Sequence, residues 1–254
     1  MKIAVLVKSV PDTAVIPEIG PNGVAVVTGH LDFVLNPFDE YAVEAALQMK
    51  QTHGAEVTAL SLGGEEARQA LRAAFAMGIE IGVQVRPPRG AELTGRGIAL
   101  CLAQVLRNLA PDLILAGKQA VDGDGAQVAE RLAEHLGYLH ASAVTRLALE
   151  NGRLTAHQAF EEGQLVLEMP LPAVITTEKG INEPRYPTLP RILKARRMEI
   201  QELDAGLSDA RLEPGWRVER ISIPRPERHR RLFSEHEAGG VEHLIGLLQQ
   251  KSRS

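Results

Sequence analysis

The sequence predicts a doubly wound α/β fold, a mostly parallel sheet with helices on both faces, and three observations carry that expectation. Residues 3–7, 57–62 and 113–116 are continuous apolar runs, each followed by loop residues and then by a helical pattern. Strands without polar alternation are buried on both faces, which is the condition crossover helices impose on a parallel sheet. With 254 residues, 44% of them hydrophobic, the chain can bury one substantial core plus an appendage.

The elements follow in order. After the first strand, Asn36-Pro37-Phe38-Asp39 opens a helix: Asn36 is suited to cap free backbone N–H groups, Pro37 to the first helical position, and Asp39 to the positive end of the dipole. The pattern continues through Met49, with Phe38, Ala42, Ala45 and Met49 on one face. A second helix over 65–77 is preceded by Gly63-Gly64 and closed by Gly78 as a left-handed cap, and 79–85 follows as a strand. A third helix, roughly 93–109, stops before Pro111; the strand 112–116 leads into Gly117-Lys118-Gln119, and a fourth helix ends at Gly137. After residue 140 the texture changes, because 144–149 and 153–160 flank Glu150-Asn151-Gly152 as a hairpin, and 171–177 is a further strand. From about 191 the chain is more polar and broken by Pro214, Pro224 and Pro226, before a short amphipathic helix over 241–248. The expected organisation is an α/β unit over 1–190 and an extended C-terminal arm over 191–254, without internal repeats.

Composition excludes several function classes. The net charge of −4 with both signs interspersed gives no nucleic-acid or anionic-membrane surface. No run approaches the ~20 apolar residues of a membrane span, and the N-terminus lacks a signal-peptide layout, so a soluble, cytoplasmic protein is expected. Cys101 is the only cysteine and sits in an apolar run, as a buried, inert thiol. His135, His140 and His157 lack partners at metal-ligand spacing, Ser61 lacks a nucleophile elbow, and Glu161-Glu162 follows a strand as a solvated turn. No constellation is catalytic.

Binding is better supported than catalysis. In an open α/β sheet, ligands sit beyond the carboxyl ends of the strands. Three segments should converge there: 6–10, the helix start at Asn36, and the loop 117–128. Gly117, Gly123 and Gly125 allow close backbone approach, Asp122 and Asp124 can cap the helix or accept from ribose hydroxyls, and Gln127 can reach a phosphate or base edge. The same glycines and aspartates also suffice for a plain turn and cap, and neither a G-x-G-x-x-G nor a Walker A sequence is present.

At Val7-Lys8-Ser9-Val10-Pro11-Asp12, Asn36-Pro37-Phe38-Asp39-Glu40-Tyr41-Ala42, Gly117-Lys118-Gln119-Ala120-Val121-Asp122-Gly123-Asp124 and Asn182-Glu183-Pro184-Arg185-Tyr186-Pro187-Thr188-Leu189-Pro190, the chain resembles the β subunit of electron transfer flavoproteins. The resemblance implies a Rossmann-like, adenine nucleotide-binding fold, a partner α subunit that carries most of the FAD site, and AMP in a pocket of this chain. By matching position it implies that Leu6, Asn36, Pro37, Phe38, Asp39, Leu62 and Gly117, Lys118, Gln119, Ala120, Val121, Asp122, Gly123, Asp124, Gly125, Ala126, Gln127 and Val128 form the AMP pocket. Phe38 is similar to the aromatic that approaches the flavin. Leu189, with Arg185, Tyr186, Thr188 and Pro190, resembles the anchor loop that partner flavin dehydrogenases accept, and Lys194, Arg196 and Arg197 are suited to steer acidic partners. The implied role is a carrier relaying single electrons from acyl-CoA or similar flavin dehydrogenases to a membrane quinone reductase, with the arm and its basic tract, Arg217, Arg220, Arg225, Arg228, Arg230 and Arg231, packed on the α subunit.

The chain departs from the family pattern in two ways. Gly123, Ala126 and Val128 stand where classical carriers have acidic, Asn and Thr residues, and the segment 122–128 is closer to bifurcating relatives that bind a second FAD in this pocket. An acidic residue expected before 171 aligns with Ala159, leaving Glu161 or Glu162 as stand-ins. More distant alternatives are a self-dimerising, adenine-nucleotide-binding stress-type module and an ATP-pyrophosphatase-type enzyme, whose phosphate loops are not evident here.

Overall fold

The computed structural model describes residues 1–29, 31–91, 93–207, 212, 216–224 and 239–251. The chain enters through β1 (Lys2–Leu6), after which β2 (Ser9–Pro11), β3 (Glu18–Ile19), β4 (Val26–Val27) and β5 (Phe33–Leu35) build two small antiparallel ladders, β2 with β5 and β3 with β4. It continues through α1 (Pro37–His53), β6 (Glu56–Leu62), α2 (Glu65–Met77), β7 (Ile81–Arg86), α3 (Gly95–Leu109), β8 (Leu113–Gly117) and α4 (Val128–Leu136). The last part comprises β9 (Leu139–Glu150), β10 (Arg153–Phe160), β11 (Gly163–Pro170), β12 (Ala173–Thr177), α5 (Leu189–Ala195), β13 (Gln201–Asp204) and α6 (Gly240–Lys251).

A nine-stranded sheet in the order β11-β10-β9-β12-β8-β1-β6-β7-β13 forms the centre, parallel throughout from β9 to β13 and antiparallel at β10 and β11. The predicted doubly wound α/β class is therefore the observed one. Successive side chains of a strand point to opposite faces, so the continuous apolar runs split between two cores. Ile3, Val5, Val57, Leu113 and Leu115 pack against α1 and α2. Ala4, Leu6, Leu60, Ile114 and Ala116 pack against α3 and α4. From β1 the chain winds outward through β6 and β7, then returns to place β8 on the other flank of β1. The cleft beyond Leu6 and Gly117 is thus the topological switch point.

Several boundaries differ from the sequence expectation. Helix α1 runs past Met49 to His53 and ends at Gly54, whose φ of 63° is the left-handed cap. The hairpin gains a third strand, β11, paired along its whole length with β10. Beyond residue 190, where the arm was expected, β13 joins the main sheet beside β7. Glu202 fastens it, bonded to Arg68 at 2.8 Å and Arg86 at 2.7 Å. Part of the expected arm is therefore continuous with the α/β unit.

Candidate functional site

The carboxyl ends of β1 and β8 and the start of α1 meet on one side chain. Asp39 is 6% exposed and accepts hydrogen bonds from the backbone N–H of Lys8 at 2.8 Å, the backbone N–H of Gly117 at 3.1 Å and the amide of Asn36 at 2.9 Å. Burial pushes its carboxyl up to about 7, against the opposing pull of the Asn36, Lys8 and Gly117 donors. Asn36 was expected to cap α1, yet its side chain makes no cap bond. Its amide donates to the Gln119 carbonyl at 2.9 Å, and its oxygen accepts from the backbone N–H of Val121 at 3.3 Å. A residue whose sequence context suits a helix cap is instead the tie between α1 and the loop 118–127. Gly117 is required by packing: a Cβ there would lie 2.4 Å from Asp39 Oδ1 and 2.7 Å from the Phe38 carbonyl carbon.

Around this junction lies a cavity of about 330 Å³. The three segments expected to converge do so. Of the predicted residues, Leu6, Asn36, Asp39, Leu62, Gly117, Lys118, Gln119, Ala120, Asp122, Gly123, Gly125, Ala126, Gln127 and Val128 line it, whereas Pro37, Phe38, Val121 and Asp124 do not. Lys8 closes one side of the rim, its Nζ bonded to both oxygens of Asp122 at 2.8 and 2.6 Å. Asp124 accepts from Gln119 at 2.8 Å, so neither aspartate caps α4. Asp124 and Ala126 hold left-handed backbone at φ 46° and 42°, which turns the loop back into α4. Val128 and Ala129, in the first turn of α4, have backbone N–H groups with no carbonyl partner inside the helix, a ready anion site.

A wall from α3 was missed in the sequence. Ile98 and Leu102, with Gly95 and Leu60, complete an apolar floor. The available signal was the pair Gly95 and Gly97 at the helix start, since a Cβ on Gly95 would lie 2.9 Å from Gln127 Cγ. The cavity combines an apolar floor, hydrogen-bond acceptors, two lysines and a helix N-terminus, and brings no nucleophile and base together.

Phe38 does not line the cavity and is half-buried. Lys118 Nζ stands 4.9 Å from its ring centroid and pairs with Glu178, and Thr177 Oγ1 donates to the Phe38 carbonyl at 3.2 Å.

The segment 182–198 forms a second feature. The Asn182 amide donates to the Tyr41 carbonyl at 2.9 Å. Arg185 grips Glu44 through Nε at 2.7 Å, Nη2 at 2.9 Å and its backbone N–H at 3.2 Å. Behind it, Arg72 donates to the carbonyls of Ala195 at 2.6 Å and Met198, and Arg191 to that of Met77 at 3.2 Å. These clamps hold a short turn on which Tyr186 is 94% and Leu189 69% exposed. Leu189 and Pro190 open the helix α5 where a continuing loop was expected, with Thr188 before them. Lys194, Arg196 and Arg197 follow, exposed.

Among the described residues, no group of His, Cys, Asp and Glu is arranged for a metal. Cys101 is fully buried, which pushes its thiol up. Glu161 and Glu162 form the exposed turn after Ala159. No described helix is long and apolar enough to cross a membrane. Arg217 and Arg220 are exposed, while Arg225, Arg228, Arg230 and Arg231 lie outside the described residues.

Residues 24–208 match the family model described as the electron transfer flavoprotein domain. The chain is 35% identical over 227 residues to the electron transfer flavoprotein subunit beta of Bacillus subtilis strain 168, covering 87% of this chain and 88% of the relative. Identity to the subunit of the same name from Megasphaera elsdenii is 39% over 215 residues, covering 81% and 78%. To that of Homo sapiens it is 37% over 212 residues, covering 81% and 82%.

Proposed function

Because the chain belongs to the electron transfer flavoprotein family as a β subunit, we propose that it is half of a soluble, cytoplasmic heterodimeric carrier and transforms no substrate of its own. In this reading an α subunit holds most of the FAD, and this chain binds AMP in its switch-point cavity. The carrier takes electrons from flavin dehydrogenases of the acyl-CoA type, as in fatty acid oxidation, and delivers them to a membrane quinone reductase.

The observation that carries the reading is the cavity itself, in which three distant segments meet on Asp39. Its chemistry suits a mononucleotide. The floor of Leu6, Leu60, Leu62, Ile98 and Leu102 offers an apolar bed for a base, Gln119 and Asp122 offer polar partners for a ribose, and Lys8 with the start of α4 offers positive potential for a phosphate. At about 330 Å³ it is at the small end of ligand pockets, which favours AMP over a whole second FAD. Bound flavin supplies the one-electron chemistry. The share of this chain is positional: Phe38, under Lys118 and tied to β12 through Thr177, offers a stiff aromatic wall.

The arm supports a partner subunit. Trp216 is 63% exposed, Ile223 54%, and Val241 and Leu248 on α6 are 68% and 62%; apolar groups left out in such number suit burial against another chain. The docking role falls to Leu189, presented with Tyr186 on a turn clamped by Arg185, with little entropy left to lose on association.

Co-expression with an untagged α subunit, followed by cofactor extraction, tests the proposal. The expected product is a yellow heterodimer with one FAD and one AMP. Two FAD and no AMP would assign the bifurcating alternative, and a colourless self-dimer that hydrolyses ATP would overturn both.

A further inference from the structure

Beside the exposed turn lies a second concavity, of about 410 Å³, that shares no lining residue with the nucleotide cavity. Phe33 from β5, Tyr41 from α1 and Tyr186 from the turn contribute aromatic rings, and Glu40 contributes a carboxylate. Glu40 is half-buried, and among the described residues its carboxylate has no hydrogen-bond or ion-pair partner. Burial pushes that carboxyl above its ordinary range. Arg185 also lines the groove, but its charge is committed to Glu44 through two side-chain hydrogen bonds. The groove therefore retains one uncompensated negative charge among three aromatic rings.

That combination recognises a particular kind of group. A carboxylate that has lost part of its hydration and has no counter-charge favours a cation that enters beside it. Aromatic faces attract the same cation and cover the hydrocarbon stem of a long basic side chain. We propose that this groove receives an arginine or lysine side chain of the electron-donating flavin dehydrogenase, seated between Glu40 and the rings of Tyr41 and Tyr186 while Leu189 docks alongside. The proposal rests on the reading of Leu189 as the docking anchor, and adds a polar, charge-selective half to that apolar contact. Apolar burial supplies affinity with little directional preference, whereas a single matched charge sets register and rejects partners that bring an acid to the same place.

The test uses the heterodimer purified with its α subunit, with a purified acyl-CoA dehydrogenase as the probe. The rate of carrier reduction is followed against heterodimer concentration at low and at physiological salt. Glu40→Gln is expected to raise KM for the heterodimer about fivefold at low salt, to weaken the salt dependence of KM and to hold kcat. Glu40→Asp should keep part of the parent behaviour, and Glu40→Lys should exceed the effect of Glu40→Gln. Leu189→Ala, as a separate arm, should raise KM equally at both salts. Parent-like KM and salt dependence in Glu40→Gln, with KM raised in Leu189→Ala, would overturn the groove and leave the docking turn standing. Parent-like values in both variants would overturn the groove together with the docking reading. Loss of the α subunit from Glu40→Gln during purification would assign the groove to the heterodimer interface and also overturn it. Thermal melts confirm that each variant is folded, which is expected because the Glu40 carboxylate holds nothing else in place.

Discussion

Helix α1 carries two carboxylates on residues that expose little surface, Asp39 at 6% and Glu44 at 4%, and their protonation equilibria move in opposite directions. Burial raises Asp39 to about 7, because the groups bonded to it are neutral donors, an amide and two backbone N–H groups, and the Lys8 ammonium, which is bonded to Asp122 instead, adds only a smaller downward pull. Burial pushes Glu44 up as well, but the hydrogen bonds and charge of Arg185 outweigh it and hold the carboxyl below its ordinary range. Two differences set the sign: the Asp39 carboxyl is the more deeply desolvated, and only Glu44 is bonded to a group that carries a full opposite charge. The two acids also differ in what they join. Asp39 knots three segments of the core around the switch-point cavity, and Glu44 holds a surface turn that presents Tyr186 and Leu189.

Removing each knot separates the two cases. Asp39→Ala leaves three donors without an acceptor and is expected to cost about 4 kcal/mol of global stability, read from urea melts at neutral pH. A loss below about 1 kcal/mol would show that water replaces the carboxylate and that the junction is not structural.

The pH dependence of Asp39 is the next largest effect. Its folded carboxyl titrates near 7 and its unfolded one near 3.8, so between these values the folded state binds more protons. Stability from this group is fully present below 3.8 and is lost as pH rises through about 7. The expected decline is on the order of a few kcal/mol. Asp39→Asn has no such titration, so the parent should lose stability relative to the variant as pH rises; a constant difference from pH 4 to 8 would contradict the assignment.

Gly117→Ala should cost about 2 kcal/mol by overpacking against Asp39 and Phe38, and should weaken retention of the AMP proposed for this cavity, measured by nucleotide extracted per heterodimer. Full retention with parent stability would mean that β8 and α1 separate easily.

The smallest global effect belongs to the second acid. Glu44→Gln is expected to cost about 1 kcal/mol overall, because the freed Arg185 can turn toward solvent. Locally the change is larger: trypsin cleavage after Arg185 should accelerate about tenfold if the turn opens. Since the Glu44 carboxyl is held low, its contribution is present above the ordinary value of 4.5 and lost as pH falls, the reverse of Asp39. Unchanged cleavage would place the rigidity of the turn in its prolines instead.

The difference between these acids also marks what could be read from the sequence. Asn36, Pro37 and Asp39 carry the signature of a helix start, and the helix is there. That signature is local, and so it does not reveal that Asn36 reaches Gln119 and Val121, or that Asp39 lies buried under Gly117. Leu189 is exposed, as its proline-rich polar setting, which leaves it nothing local to pack on, suggests. The clamp that holds it, Glu44 to Arg185 across 141 residues, has no local trace. Strand β13 was missed for a related reason. Gln201, Glu202, Leu203 and Asp204 show no apolar alternation, and they form a strand because β7 offers backbone partners and Arg68 and Arg86 await Glu202.

By itself the sequence determined the α/β class, the buried strands, most helix ends and the three segments that border the cavity. All of these follow from hydrophobic period and from glycine or proline at chain reversals, which act over a few residues. Tertiary structure alone decided the α3 wall, the role of Asn36, the opposite behaviour of Asp39 and Glu44, and the unpartnered Glu40 beside its aromatic rings. Each depends on groups far apart in the chain meeting at hydrogen-bond distance or failing to, as Asp39 and Gly117 meet across 78 residues, and distance in space is a property that no local pattern encodes.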